Sequence, residues 1–214
     1  LPGDVGSIVQ VVLVVLLSIS VHEFAHAKIA DMSGDDTPRL MGRVTLLPWR
    51  HWDPVGTVFI VLTAVSGFGL GWGRPVIVRP ERMRNPRWDH FWSVAAGPLS
   101  NFMIAGLAAV ALRAALSFAP QTLPAWLAGL LVLTVIVNCS LGLFNLLPIG
   151  PLDGHWLVGA FLPDRQRNGW YRFNQTTGSF LLLALILLGQ GQFDLLERVL
   201  GPARRATVSF LLGG

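Results

Sequence analysis

Residues 5–30 read VGSIVQVVLVVLLSISVHEFAHAKIA. The run from Val5 to Val21 carries no charge, and a helix needs about 20 apolar residues to cross a bilayer. The run passes without a break into His22-Glu23-Phe24-Ala25-His26. On a helix, positions i and i+4 share one face. His22 and His26 can therefore bind one zinc ion, with the intervening Glu23 as base toward a metal-activated water. In a soluble helix the same five residues could simply be exposed polar side chains. At the end of an apolar helix they are expensive in lipid, and intramembrane ionisable groups are functional by default.

The rest of the chain fits a membrane setting. Of 214 residues, 52% are hydrophobic and 13% charged, against about 25% charged in a soluble domain. Net charge is +4, and every basic residue but Lys28 is Arg. These arginines sit in short loops between apolar runs, a pattern of topology signalling rather than nucleic-acid binding. Further apolar runs cover 91–112, 124–147 and 173–193. The expected architecture is an all-α polytopic bundle of about four to six spans in one domain, 1–214. The first apolar run lacks a basic leader and leads into the motif, so it is expected to be retained rather than cleaved. The single cysteine, Cys139, reads as a small buried hydrophobe.

The uncharged stretch from Pro54 to Gly73 is rich in Gly and in β-branched residues such as Val55, Thr57, Val58, Ile60, Val61 and Thr63. Gly56, Gly67, Gly69, Gly71 and Gly73 weaken a helix, and the β-branched residues suit strands. The expectation for 42–78 is a small re-entrant β-type insertion after the first helix. Arginines crowd 31–90 and 163–172, and Arg113 stands alone in 113–124. The first two segments should face the cytoplasm, with the turn near Pro120 and the N-terminus outside. The tail 195–212 mixes Arg198, Arg204 and Arg205 with apolar residues and reads as an interfacial amphipathic helix.

Catalytic zinc takes three protein ligands plus water, so a third must come from elsewhere. The candidate is Asp153, in the stretch from Asn145 through Pro148, Gly150, Pro151 and Leu152 to Gly154 that ends the run 124–147. Alone, an Asp there is as good a turn former as a ligand. Parity favours the ligand. The chain leaves the first motif, crosses outward through 91–112 and returns through 124–147, which brings Asp153 to the side of His22 and His26. A full crossing by 57–70 would separate them.

These motifs resemble the site-2 protease family of intramembrane metalloproteases. The similarity rests on His22-Glu23-Phe24-Ala25-His26 and on Asn145 to Gly154. It extends to Gly34-Asp35-Asp36-Thr37, Gly42 to Pro48, His51 to Thr57, Gly71 to Val76 and Ala96-Gly97-Pro98-Leu99-Ser100-Asn101. The stretches follow the order of the compact prokaryotic branch, without a PDZ domain. Leu47 departs from the Asn common in that branch. The resemblance implies one Zn2+ held by His22, His26 and Asp153, Glu23 as catalytic acid and base, and roles for Asn101 and Asn145 near the developing oxyanion. It also implies a transmembrane protein or peptide substrate, cleaved at or in the bilayer. An integral protein of the prokaryotic plasma membrane is expected, with the site nearer the cytoplasm.

Interhelical hydrogen bonding is an equal account of Asn101 and Asn145, and the preferred one for Asn138. His51 and Asp53 could orient a ligand or simply pair locally. His155 and His90 read as interfacial residues, the latter beside Trp88 and Trp92. Arg74 is assigned to topology or to substrate gating. A β edge in 42–78 would hold an unwound substrate by strand addition. Two other functions compete: a metal-dependent transporter and a non-catalytic membrane scaffold. The intact His-Glu-His-Asp set disfavours both.

Overall fold

The computed structural model describes residues 5–66, 71–118, 121–188 and 195–213. Among these, three helices are long and apolar enough to cross a membrane: α1 (Val5–Met32), α4 (Trp88–Phe118) and α5 (Ala125–Asn145). Between α1 and α4 lie the short α2 (Thr37–Leu40) and α3 (Pro54–Ser66). After α5 come α6 (Asp153–Phe161), α7 (Asp164–Phe173), a π-helical turn at Asn174–Gly178, α8 (Ser179–Leu188) and α9 (Leu195–Leu212).

α4 packs against both α1 and α5. Small side chains permit the close approach, as is usual when lipid rather than water surrounds a bundle. Ala105, Ala108 and Ala109 of α4 meet Val135 and Cys139 of α5 in one buried cluster. Gly142 lies against Phe102, where an added Cβ would stand 2.9 Å from the ring. Large apolar side chains such as Leu107, Val110 and Trp126 point outward. That outward face is ordinary against acyl chains and would be a large apolar liability in water.

The expected β insertion is not what forms. Among the described residues of 42–78 there is no strand, only an isolated antiparallel bridge between Trp52 and Gly73. Pro54–Ser66 is an α-helix instead. Backbone amides in an apolar medium must be satisfied within the segment, and a helix does this without a partner, which outweighs the weak preference of β-branched residues for strands. Helix entry is also specified locally. Pro54 occupies the first turn, and the Asp53 carboxylate accepts the Gly56 N–H at 2.8 Å, as an N-cap does. Gly67 and Gly69 lie outside the described residues, while Gly56, Gly71 and Gly73 serve close packing. A Cβ on Gly56 would fall 2.0 Å from the Trp72 carbonyl, and one on Gly71 would fall 1.9 Å from Ile60.

The two ends of this insertion meet. Besides the Trp52–Gly73 bridge, the Arg74 N–H donates to the His51 carbonyl at 2.7 Å. At 13 residues, α3 is about 20 Å long, short of the ~30 Å hydrocarbon core. Parity is preserved: α1 and α5 end, and α4 begins, at one end of the bundle. The run 173–193 extends past the described residues; within them it comprises the π-helical turn and α8. The C-terminal half of α9 packs Val208, Leu211 and Leu212 onto the α4–α5 cluster.

Candidate metal centre and active site

His22 and His26 lie one turn apart on α1 and are both buried. Their Nε2 atoms are 2.9 Å apart. Asp153, the first residue of α6, brings Oδ2 to 3.2 Å from His22 Nε2 and 3.4 Å from His26 Nε2. Ligand atoms around a tetrahedral zinc, with bonds of about 2.0–2.1 Å, stand about 3.3 Å apart. The triangle has that size.

The partners of the outer ring nitrogens also fit a metal site. His26 Nδ1–H donates to the Ser93 carbonyl at 2.8 Å, so the neutral ring turns a bare Nε2 inward. His22 Nδ1 faces Asn101 Oδ1 at 2.7 Å. Asp153 Oδ2 is buried without a hydrogen-bond partner. Two ring nitrogens and a carboxylate oxygen this close together repel one another unless a proton or a metal cation lies between them. Metal-binding histidines characteristically spend their other nitrogen on a carbonyl or carboxylate, as both do here. The donor set fits zinc.

Neighbouring backbone is shaped around these side chains. Gly97 on α4 faces both rings: a Cβ there would fall 2.3 Å from His26 Nε2 and 2.7 Å from His22 Cε1. Pro98, inside α4, has no N–H for the Val94 carbonyl, so the ladder is broken in the turn whose Ser93 carbonyl holds His26. Gly154 lets α6 start against the end of α5, since a Cβ would meet the Leu146 and Leu147 carbonyls at 2.2 and 2.3 Å. The loop carrying Asp153 is fixed from behind by Asn174, whose Oδ1 accepts the Gly150 N–H at 2.7 Å. Asn174 stands in a polar stretch with no motif around it, and its burial is visible only in the fold.

Glu23 Oε2 accepts the Val76 N–H at 2.9 Å. The non-helical segment 74–79 therefore runs beside Glu23, and Arg43 braces it by reaching the Pro75 carbonyl at 3.5 Å. The two asparagines differ. Asn101 is fully buried behind His22, and its Nδ2 donates to Asn138 at 3.0 Å. Its Oδ1 faces His22 and one of its two N–H groups is given to Asn138, and the whole side chain is buried. Asn145, partly exposed at the end of α5, donates to the Leu141 carbonyl at 3.0 Å.

The minor candidates also have definite places. His51 is buried, and its Nε2–H donates to the Thr45 carbonyl at 2.8 Å; Asp53 caps α3 rather than pairing with it. His155 is buried, not interfacial, with Nδ1 on the Leu152 carbonyl. His90 stands edge-on to Trp156, 5.2 Å between ring centroids.

Comparison with known proteins agrees with this geometry. Residues 114–189 match the family model described as Peptidase family M50. The chain is 35% identical over 159 residues to YwhC of Bacillus subtilis, covering 73% of this chain and 70% of YwhC. It is 34% identical over 165 residues to Rip2 of Mycobacterium tuberculosis, covering 76% of this chain and 61% of Rip2. Both relatives are provisionally named zinc metalloproteases. No solved structure matches the chain significantly. With its ligand triangle and a relative of this identity and coverage, the chain belongs to peptidase family M50, the zinc-dependent site-2 proteases.

Proposed function

We propose that this protein hydrolyses peptide bonds of membrane-spanning substrates within the bilayer, with one zinc held by His22, His26 and Asp153. The convergence of three metal-ligating atoms at 2.9, 3.2 and 3.4 Å, at one end of a bundle of apolar helices, carries this reading. When bound, the metal supplies Lewis acidity: it polarises a carbonyl and makes a water reactive near neutral pH, with a pKa of about 7.

Glu23 accepts the proton of the attacking water and passes it to the leaving amine. The Val76 N–H holds one of its oxygens in place. Asn145, the asparagine with a partly accessible side chain, is the donor proposed for the oxyanion. A helical substrate must unwind before its peptide bond can be attacked. Segment 74–79, non-helical and adjacent to Glu23, is where an unwound substrate would lie. The protein is proposed to reside in a prokaryotic plasma membrane, with the zinc end toward the cytoplasm, where the arginine-rich loops gather.

Two measurements test this on detergent-purified protein: bound zinc, and cleavage of a transmembrane peptide reconstituted with it. Wild type should carry about one zinc per chain and cleave; Asp153→Ala should lose both, leaving two of three ligands. A folded wild type without zinc, or cleavage undiminished in Asp153→Ala, would overturn the proposal.

A further inference from the structure

Asn138 lies in the middle of α5 with no recognisable motif around it, yet it is fully buried. One amide atom is 3.0 Å from the Thr134 carbonyl and 2.9 Å from Ser18 Oγ. The other is 3.0 Å from the Asn101 amide. A main-chain carbonyl only accepts, so the atom beside Thr134 is the NH2 group, whichever way the amide is drawn. Asn138 therefore presents its carbonyl oxygen to Asn101. Asn101 must answer with its own NH2, which leaves its Oδ1 facing His22 Nδ1 at 2.7 Å. That ring nitrogen must carry a proton. In the neutral imidazole Nε2 then keeps its lone pair, and Nε2 is the atom in the triangle with His26 and Asp153.

We infer that Asn138 is a positioning residue that acts through Asn101 to fix the tautomer and orientation of His22. This rests on the zinc reading above. The two histidines differ in what they need. His26 donates to a main-chain carbonyl, whose polarity cannot change. His22 faces a side-chain amide, which can turn over. A reversed Asn101 would put NH2 against Nδ1, select the Nε2–H tautomer and place a proton on the coordinating nitrogen. Asn138, itself anchored by Thr134 on its own helix and by Ser18 on α1, forbids that reversal. Burial of all four residues excludes water as a substitute, with Ser18 at 3% and His22 at 7% exposure and both asparagines at 0%. An asparagine serving only to join helices would need no particular polarity.

The experiment is nitrogen NMR of the histidine rings in the metal-free, detergent-solubilised full chain, with zinc affinity measured alongside by chelator competition. Wild type should show His22 as the Nδ1–H tautomer. Asn138→Leu should show mixed tautomers and bind zinc about 10–100-fold more weakly, as loss of outer partners of metal ligands typically does. On an Asn101→Leu background the same substitution should add little, because the relay is already cut. If Asn138→Leu does not fold, Asn138→Ala removes the amide without adding bulk. Ser18→Ala should leave the tautomer unchanged, since Thr134 still orients the amide. An unmixed tautomer in the Asn138 variants, or equal affinity losses with and without Asn101, would make Asn138 a packing residue and overturn the inference. Failure of wild type to bind zinc with the tautomer intact would sink the metal reading and leave the relay standing.

Discussion

At the residue scale the proposed mechanism separates the site into atoms that would hold the metal and atoms that would move protons. Glu23 belongs to the second set: its carboxylate is bonded to Val76 and lies outside the ligand triangle. Glu23→Gln should keep about one zinc per chain while hydrolysis falls by about 10²–10⁴-fold, the usual contribution of a general base. Zinc content and single-turnover cleavage of a transmembrane peptide check the two halves. Loss of zinc in this variant would place Glu23 among the ligands. Gly97 offers the converse. A methyl group there would fall 2.3 Å from His26 Nε2, so Gly97→Ala should lose most zinc though it removes no ligand. Overpacking typically costs about 1–3 kcal/mol, so the thermal transition should shift modestly. Zinc retained at wild-type affinity would show that α4 can step back from the rings.

At the scale of elements, the metal set was legible because its chemistry is written in residue type and spacing: two histidines one helical turn apart, and an Asp at the end of the third span. Segment 54–66 is helical, against the strand expectation, for a physical reason. Valine, isoleucine and threonine favour strands where a neighbouring strand completes the hydrogen bonds, whereas α3 closes its own. The local signal that should have decided it was Asp53-Pro54, a cap followed by a first-turn proline. Asp53→Ala should therefore lower stability by about 0.5–2 kcal/mol, read as a lower thermal midpoint with zinc content unchanged. The loop before it makes a pH prediction. Burial holds the His51 imidazole below its ordinary value, so the folded protein keeps the ring neutral while the unfolded chain takes up a proton near pH 6.5. The unfolded state binds more protons in the window below about pH 6.5, and stability falls as pH drops through it. His51→Gln keeps a donor for the Thr45 carbonyl without the titration. Its thermal midpoint should decline less steeply than that of wild type below pH 6.5; parallel curves would assign the acid sensitivity elsewhere. The role of Asn138 was illegible because it depends on three helices coming together, which no local pattern encodes.

At the scale of the whole molecule, charge and metal geometry both favour the topology proposed above. Arg87 donates to the Ala160 carbonyl at 2.6 Å and the Leu162 carbonyl at 3.2 Å, so the start of α4 and the end of α6 occupy the zinc end of the bundle. Arg113, far along α4, donates to the Phe210 carbonyl at 2.9 Å, which ties the C-terminal part of α9 to the opposite end. With the arginine-rich loops cytoplasmic, exposed positions 81 and 165 should share one compartment and exposed position 121 the other. The native thiol at Cys139 is buried and can be removed as Cys139→Ala to give a silent background. In that background, Glu81→Cys and Arg165→Cys should resist a membrane-impermeant thiol reagent in intact cells and react after lysis, whereas Gln121→Cys should react in both. Reversal of all three would turn the zinc end outward and leave the fold intact. Labelling of Glu81→Cys and Arg165→Cys from opposite sides would contradict the two-crossing path that brings Asp153 back to His22 and His26.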